Sequence, residues 1–463
     1  MKELTLGIFQ SLTPNGMIGA SWRFPENESL DFLDLDYWIR LSKKIDKAGF
    51  DFLFLADTYG YPMIDGEVLD AAVRNAFNIP VADPFAIVSA VAAATERLSV
   101  VATASTTVER PPALARRLAT LDHLTGGRLG WNVVTGVSQI ASANLFGESA
   151  LSSDERYDRA EEYIDICLGL WEGSWEDDAL LEDRENGIYA DPAKLRQVSY
   201  EGKHFSSRGI LNVPPSPQRT PLIVQAGTSG RGKDFAARNA EVVFIGGGSP
   251  AQMAANIADV RDRAVSFGRE RDSIKFLIGS MFVVGKTEQE AQEKRQAQLA
   301  FATTEQAAVT YAYVTGLDLT TMDPDLPLGG SSGEVKTVEA EGKSSVNRYA
   351  GKSAPAPAVK DILEDLRVNG LNGSVFVGDP ASIADQVEEF IAQTDADGFL
   401  IQSHITPSTY DDFIDLLLPV FRERGMFSTD PSGPTLRERI FGAGPGLPEN
   451  HRGTDFSWSR VPR

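Results

Sequence analysis

Five side chains in this sequence fall where α/β proteins place their chemistry. Asp57, Thr103 and Asn132 lie at or near the carboxyl ends of runs that read as β-strands, and Tyr157 and Ser229 stand near the starts of helical runs. Ligands of parallel α/β folds bind at that edge. The stretch Gly227-Thr228-Ser229-Gly230-Arg231-Gly232 joins a strand to a helix. Backbone N–H groups in such a turn can hold a phosphate, with the Ser229 hydroxyl and the Arg231 charge adding to them. An ordinary strand-to-helix turn has the same composition. Asp57 and Thr103 equally suit a helix cap or a strand-end hydrogen bond, and Tyr157 suits a surface aromatic. Asn132 alternates with Trp131 and Val133, so it points into a barrel or away from it, and an inward amide is costly without a partner. Trp22, Arg23, Tyr59 and Tyr61 lie in loops at the same edge and can pack on a flat ligand.

Other chemistries find no support. The four histidines, His123, His204, His404 and His451, are scattered without the spacing of a zinc site. Ser229 lacks the second glycine of a nucleophile elbow. No Walker loop or G-x-G-x-x-G is present. A net charge of −21 over 463 residues argues against a nucleic-acid partner. The single cysteine, Cys167, sits in an apolar helical pattern and reads as a buried thiol. The chain starts directly into a strand and has no apolar run near the length of a membrane span, so no signal peptide and a cytoplasmic location are expected. A site without a nucleophile, a metal or an acid/base pair leaves the chemistry to a cofactor.

The elements that must position these residues are best read from 98–135. A strand ends in small polar residues, Pro111 and Pro112 open a helix, and Leu114, Leu118, Leu121 and Leu124 recur at helical spacing. Gly126 and Gly127 stop the helix, and a second strand follows, with Leu129, Trp131 and Val133 on one side. Two strands joined by a crossover helix run parallel. Strands are expected at 4–9, 50–55, 98–103, 128–135, 221–226, 240–245, 274–284 and 398–402. Eight such strands make a (β/α)8 TIM barrel with insertions. A doubly wound sheet would more often carry a glycine fingerprint after strand one, and none is there. The barrel is expected to occupy 1–424, with insertions at about 58–82, 172–220 and 316–394, of which 316–358 reads as a lid. Ser153 or Asp154 is expected to cap the long helix of 154–171. Residues 425–463 read as an arm lying on a neighbouring subunit.

At these residues the chain resembles the bacterial-luciferase-like, reduced-flavin-dependent monooxygenases, in the branch of nitrilotriacetate and dibenzothiophene-sulfone monooxygenases. The matching pieces are FDFLFLAD (50–57), VATASTTVERPPALARRLATLDHLTGGRLGWNVVT (101–135), DERYDRAEEY (154–163), WEDDALLEDRENGIYADPAKL (175–195), VPPSPQRTPLIVQAGTSGRG (213–232), DADGFLI (395–401) and YDDFIDLLLPVFRERGMF (410–427). The resemblance implies FMN, used as FMNH2 from a separate NAD(P)H:flavin reductase, with O2 as oxidant. It implies oxygenation of a small, heterocyclic organic compound beside a heteroatom, followed by C–N or C–S cleavage. It places Asp57 and Thr103 at the isoalloxazine ring, Asn132 near the flavin, and Tyr157, Ser229, Gly227 and Thr228 at the phosphate. Ser153 stands where the family often has a histidine, which makes Ser153 and Asn132 the residues to examine beside the reacting atoms. Trp22, Arg23 and Tyr59 would face the substrate. A second histidine common in the family, just before the Trp-Arg pair, is absent from Gly19-Ala20-Ser21-Trp22-Arg23. A riboflavin lyase shares this scaffold, so riboflavin is a candidate substrate. Homodimers or homotetramers are the usual assemblies. A deazaflavin-dependent hydride-transfer enzyme and a non-catalytic flavin carrier are the alternatives on the same fold.

Overall fold

The computed structural model describes residues 2–16, 20–227, 229–328, 349, 357–370, 374–428 and 433–460. Eight parallel strands close into a barrel: β1 (Thr5–Ser11), β2 (Phe52–Ala56), β3 (Ser99–Ser105), β4 (Leu129–Val134), β5 (Leu222–Gln225), β6 (Val242–Ile245), β7 (Lys275–Val284) and β8 (Gly398–Gln402). They pair in sequence order, and β8 pairs back to β1. The expected strands and their order are those of the fold.

Alternation within each strand separates two layers of core. Leu129, Trp131 and Val133 face outward into the helical shell, where Trp131 packs against Tyr163 and Trp171. Phe54, Val101, Val224, Leu277 and Leu400 face inward. Helix α1 (Pro111–Thr125) starts on its prolines and ends at Gly126, whose φ of 65° is the left-handed conformation that glycine tolerates. Its buried stripe is Leu114, Leu118, Leu121 and Thr125, whereas Leu124 is exposed. Position 124 falls a full step off the stripe because the helix turns 100° per residue. Helix α2 (Ser153–Gly173) is capped by Ser152 in a reciprocal capping box with Glu155, one residue earlier than the sequence suggests.

The insertions differ in kind. Residues 58–82 hold a two-residue hairpin and a short helix, Asp70–Arg74, and 172–220 hold two antiparallel hairpins. The third insertion is shorter than expected. Ser374–Gly378 is a ninth strand on the far half of β7, and helix Pro380–Thr394 buries Ile383, Val387 and Phe390 in the main core, so both belong to the barrel wall. Strong helical periodicity on either side of this short apolar run hides it in the sequence. Most of the lid expected at 316–358 lies outside the described residues.

The arm at 425–463 also departs from expectation, because it packs on its own barrel. Helix Leu436–Phe441 sends Leu436 and Ile440 into the amino-terminal end of the barrel beside Phe52, Leu222 and Val242. Between them, buried Arg437 donates to both oxygens of buried Glu241, at 2.6 and 2.9 Å. This plug closes one end and leaves the carboxyl end as the barrel's mouth. No helix among the described residues is long and apolar enough to cross a membrane.

Candidate active site

The mouth is built on four consecutive strands. Thr103 on β3 and Asn132 on β4 are register partners and both point inward. Asn132 Nδ2 donates to Thr103 Oγ1 at 2.9 Å, so the amide is half satisfied, while Asn132 Oδ1 is buried with no partner among the described residues. The rings of Phe9, Phe54 and Phe244 pack together within the barrel, with centroids 5.3 to 6.2 Å apart. Asp57 follows β2 directly. Burial pushes its carboxyl up to about 6, against the Thr58 N–H and with help from the Asp83 charge.

The other pole follows β5. Helix α3 (Gly230–Asn239) begins at Ser229, whose hydroxyl accepts from the Gly232 N–H at 3.0 Å. Tyr157, one turn into α2, is buried, which raises its phenol pKa, while hydrogen bonds with Ser229, Thr135 and Gln225 act in the opposite direction. A Cβ at Gly227 would lie 2.8 Å from Tyr157 Oη, and one at Gly232 would lie 2.6 Å from it. Glycine is thus required by close approach of the Tyr157 phenol and, at Gly227, of the Gln225 amide as well. Arg231 is ion-paired with Asp158 on α2, so its charge is already matched. Thr228 lies outside the described residues.

These features fit a flat ring system carrying a phosphate. The aromatic cluster offers apolar contact, the free Asn132 oxygen offers an acceptor, and the glycine turn leaves backbone N–H groups open at a helix N-terminus.

A cavity of about 260 Å³ adjoins Asp57, between Phe9 and Ala56 on the barrel side and Phe77, Tyr313 and Val314 above. Its roof is helix α4 (Thr304–Thr315). Tyr313 Oη donates to Thr58 Oγ1 at 2.8 Å, Gln306 Nε2 to Asn75 Oδ1 at 3.0 Å, and Arg74 pairs with Glu305 at 2.6 Å, which ties the roof to the 58–82 insertion.

The structure thus brings Asp57, Thr103, Asn132, Tyr157, Gly227 and Ser229 to one edge of the barrel. Ser153 is the first residue of α2 and half-buried. Trp22, Arg23 and Tyr59 do not line the cavity. Arg23 is exposed and lies over the Phe301 ring at 5.0 Å, and Tyr59 stands edge-on to Phe146 at the rim. Sequence reasoning missed Gln225, whose polar position at a strand end was a usable signal. It also missed Phe77, in the irregular 58–82 insertion, and Tyr313, in an apolar helical pattern, neither of which gave a signal. Among the described residues no cluster of three or more metal-binding side chains occurs.

The sequence profile of the luciferase-like monooxygenases matches residues 7–398. The chain belongs to that family. This luciferase-like monooxygenase is similar to the long-chain alkane monooxygenase of Geobacillus thermodenitrificans (strain NG80-2), with 38% identity over 452 residues and 97% of each chain covered. It is 37% identical over 450 residues to the dimethyl-sulfide monooxygenase of Hyphomicrobium sulfonivorans, covering 97% of this chain and 92% of that one. Among solved structures it resembles a riboflavin lyase crystallised with modified FMN and its substrate riboflavin, with a TM-score of 0.92, 38% identity, and 98% and 100% of the two chains covered. The expectations of a TIM barrel and of a flavin-dependent monooxygenase hold with this membership.

Proposed function

We propose that this monooxygenase binds FMN, receives it as FMNH2 from a separate NAD(P)H:flavin reductase, and uses O2 to oxygenate a small organic compound beside a heteroatom, with C–N or C–S cleavage. The observation that carries the cofactor reading is the Tyr157 hydroxyl closing on Gly227, Ser229 and Gly232 at the start of α3. When bound, the reduced flavin supplies two electrons, so that one atom of O2 enters the substrate and the other leaves as water.

The protein's own residues bind, orient and exclude water. Ser229, Gly227 and the first N–H groups of α3 hold the phosphate, and Tyr157 fixes their geometry. Thr103 and the free Asn132 Oδ1 orient the polar edge of the ring. Asp57 sits beside the ring and, with its carboxyl near 6, can hold or release a proton close to neutrality. The roof from Thr304–Thr315 keeps water from the reacting atoms. The exposed apolar side chains of Leu180, Leu181, Ile188 and Tyr189 on one hairpin support assembly into a homodimer or homotetramer, which light scattering would read.

The test is aerobic turnover with an unrelated flavin reductase, NADH and FMN, with products identified by mass spectrometry over sulfides, amines and heterocycles. Riboflavin belongs in that panel because of the structural likeness to a riboflavin lyase. Incorporation of one oxygen atom from O2 is expected. Activity with a reduced deazaflavin alone, and none with FMNH2, would replace the reading with hydride transfer.

A further inference from the structure

The cavity beside Asp57 says more about the substrate than the fold does. Among the described residues its wall carries no lysine, arginine or histidine, and Asp57 supplies its one carboxyl. The polar groups that remain are neutral, and several of their donors are committed within the protein, whereas the Thr13 hydroxyl is buried without a partner among the described residues. Gln10 Nε2 donates to Ser403, Thr406 and Tyr410 at 2.9 to 3.2 Å. Asn15 Nδ2 donates to the Asn75 and Ala76 carbonyls at 2.7 and 2.9 Å. Thr310 Oγ1 donates to the Gln306 carbonyl at 2.9 Å, and Tyr313 Oη to Thr58. Ser11, Thr13 and Asn78 add neutral polar groups, and the apolar part of the wall comes from Phe9, Ala56, Phe77, Val81 and Val314.

An anion entering this space would lose its hydration and find no cation among the described residues. It would also approach the Asp57 carboxyl. We infer that the substrate of this enzyme is uncharged and largely apolar, and that carboxylates, sulfonates and phosphates are rejected at the cavity beside Asp57. The inference rests on the monooxygenase reading for the cavity's role as substrate pocket. Its volume of about 260 Å³ lies just below the usual range for ligand pockets, which suits a small substrate.

Binding of a matched pair to the full chain in the presence of FMN tests this, with phenyl propyl sulfide as the neutral probe and phenylthiopropanoate as its carboxylate. Like-charge repulsion together with unpaired burial predicts that the sulfide binds on the order of 30-fold or more tightly than the carboxylate by calorimetry or ligand-observed NMR. Thr310→Lys, which places an ammonium on the roof, is expected to narrow that gap by about tenfold through charge pairing. A carboxylate that binds as tightly as its neutral partner overturns the inference. So does failure of both probes to bind a chain that holds FMN, or a preference that Thr310→Lys leaves unmoved. If FMN itself fails to bind while the preference for the neutral probe persists, the cofactor reading falls and the substrate class stands.

Discussion

Asn132 donates through Nδ2 to Thr103 Oγ1 across two neighbouring strands, and its other amide atom has no partner among the described residues. The pair therefore presents one fixed acceptor to the mouth. Thr103→Val keeps the shape and removes the hydroxyl, which strands the amide in a buried site. A loss of about 1–3 kcal/mol in denaturant unfolding is expected. Thr103→Val with Asn132→Leu, which removes both partners, should cost less than the single change while FMN affinity falls further. A single Thr103→Val without effect on stability would show that the amide finds another partner.

Ser229→Asp separates helix capping from phosphate binding. Aspartate caps helices as well as serine does, so the melting temperature should hold within a degree or two. The new charge beside the phosphate should lower FMN affinity by about a hundredfold or more, read by fluorescence titration. Unchanged FMN affinity would move the phosphate away from α3.

Tyr157→Phe removes only the hydroxyl that closes the glycine turn. Loss of one hydrogen bond predicts an FMN affinity lower by about fivefold to tenfold. Riboflavin, which has no phosphate, should bind wild type and variant alike. An equal loss for both ligands would put Tyr157 at the ring instead.

Arg437→Met tests the plug at the other end of the barrel. Burial works to raise the Glu241 pKa, and the Arg437 charge and hydrogen bonds overcome it and hold the carboxyl below its ordinary value. Without Arg437 that carboxylate is buried without its ion-pair partner, keeping the Ile223 N–H, and a loss of about 3–5 kcal/mol is expected. Adding Glu241→Gln should recover part of it. FMN affinity of the folded fraction should not change, because the plug and the mouth lie at opposite ends.

Asp57 gives a pH dependence with a definite sign. Its folded pKa of about 6 lies above the ordinary 3.8, chiefly through burial, so its charged form is disfavoured in the folded state. The penalty is absent below the unfolded pKa, grows between the two values and is full above the folded one. Asp57→Asn should therefore raise the melting temperature of the flavin-free protein at about pH 8 and leave it nearly unchanged near pH 4. Buried Asp51 is raised in the same way at the opposite end, so the difference between variant and wild type is the quantity to follow. A variant that is less stable than wild type at high pH would mean that Asp57 is paired there.

Local signals determined the elements of this protein. Prolines at the start and Gly126 at the end bound α1, and the alternation Leu129, Trp131, Val133 marks a strand with one face in the helical shell. Such signals act within a turn or a few residues, so they survive in one dimension, and eight of them in order spell a barrel. The turn at 227–232 was legible for the same reason. Its meaning was not, because Tyr157 reaches it from a different helix.

Tertiary closure decided the rest. Alternation leaves two choices for Asn132, and only the barrel's curvature puts it inward beside Thr103. The roof of the cavity depends on Tyr313 meeting Thr58 across 255 residues of chain, and the plug on Arg437 meeting Glu241 across 196. The sequence alone specified the eight barrel strands and most of the helices between them, through short-range periodicity and turn chemistry. Which side chains share a cavity, and what charge that cavity lacks, was settled by contacts between distant segments, whose energies exist only once the chain has closed.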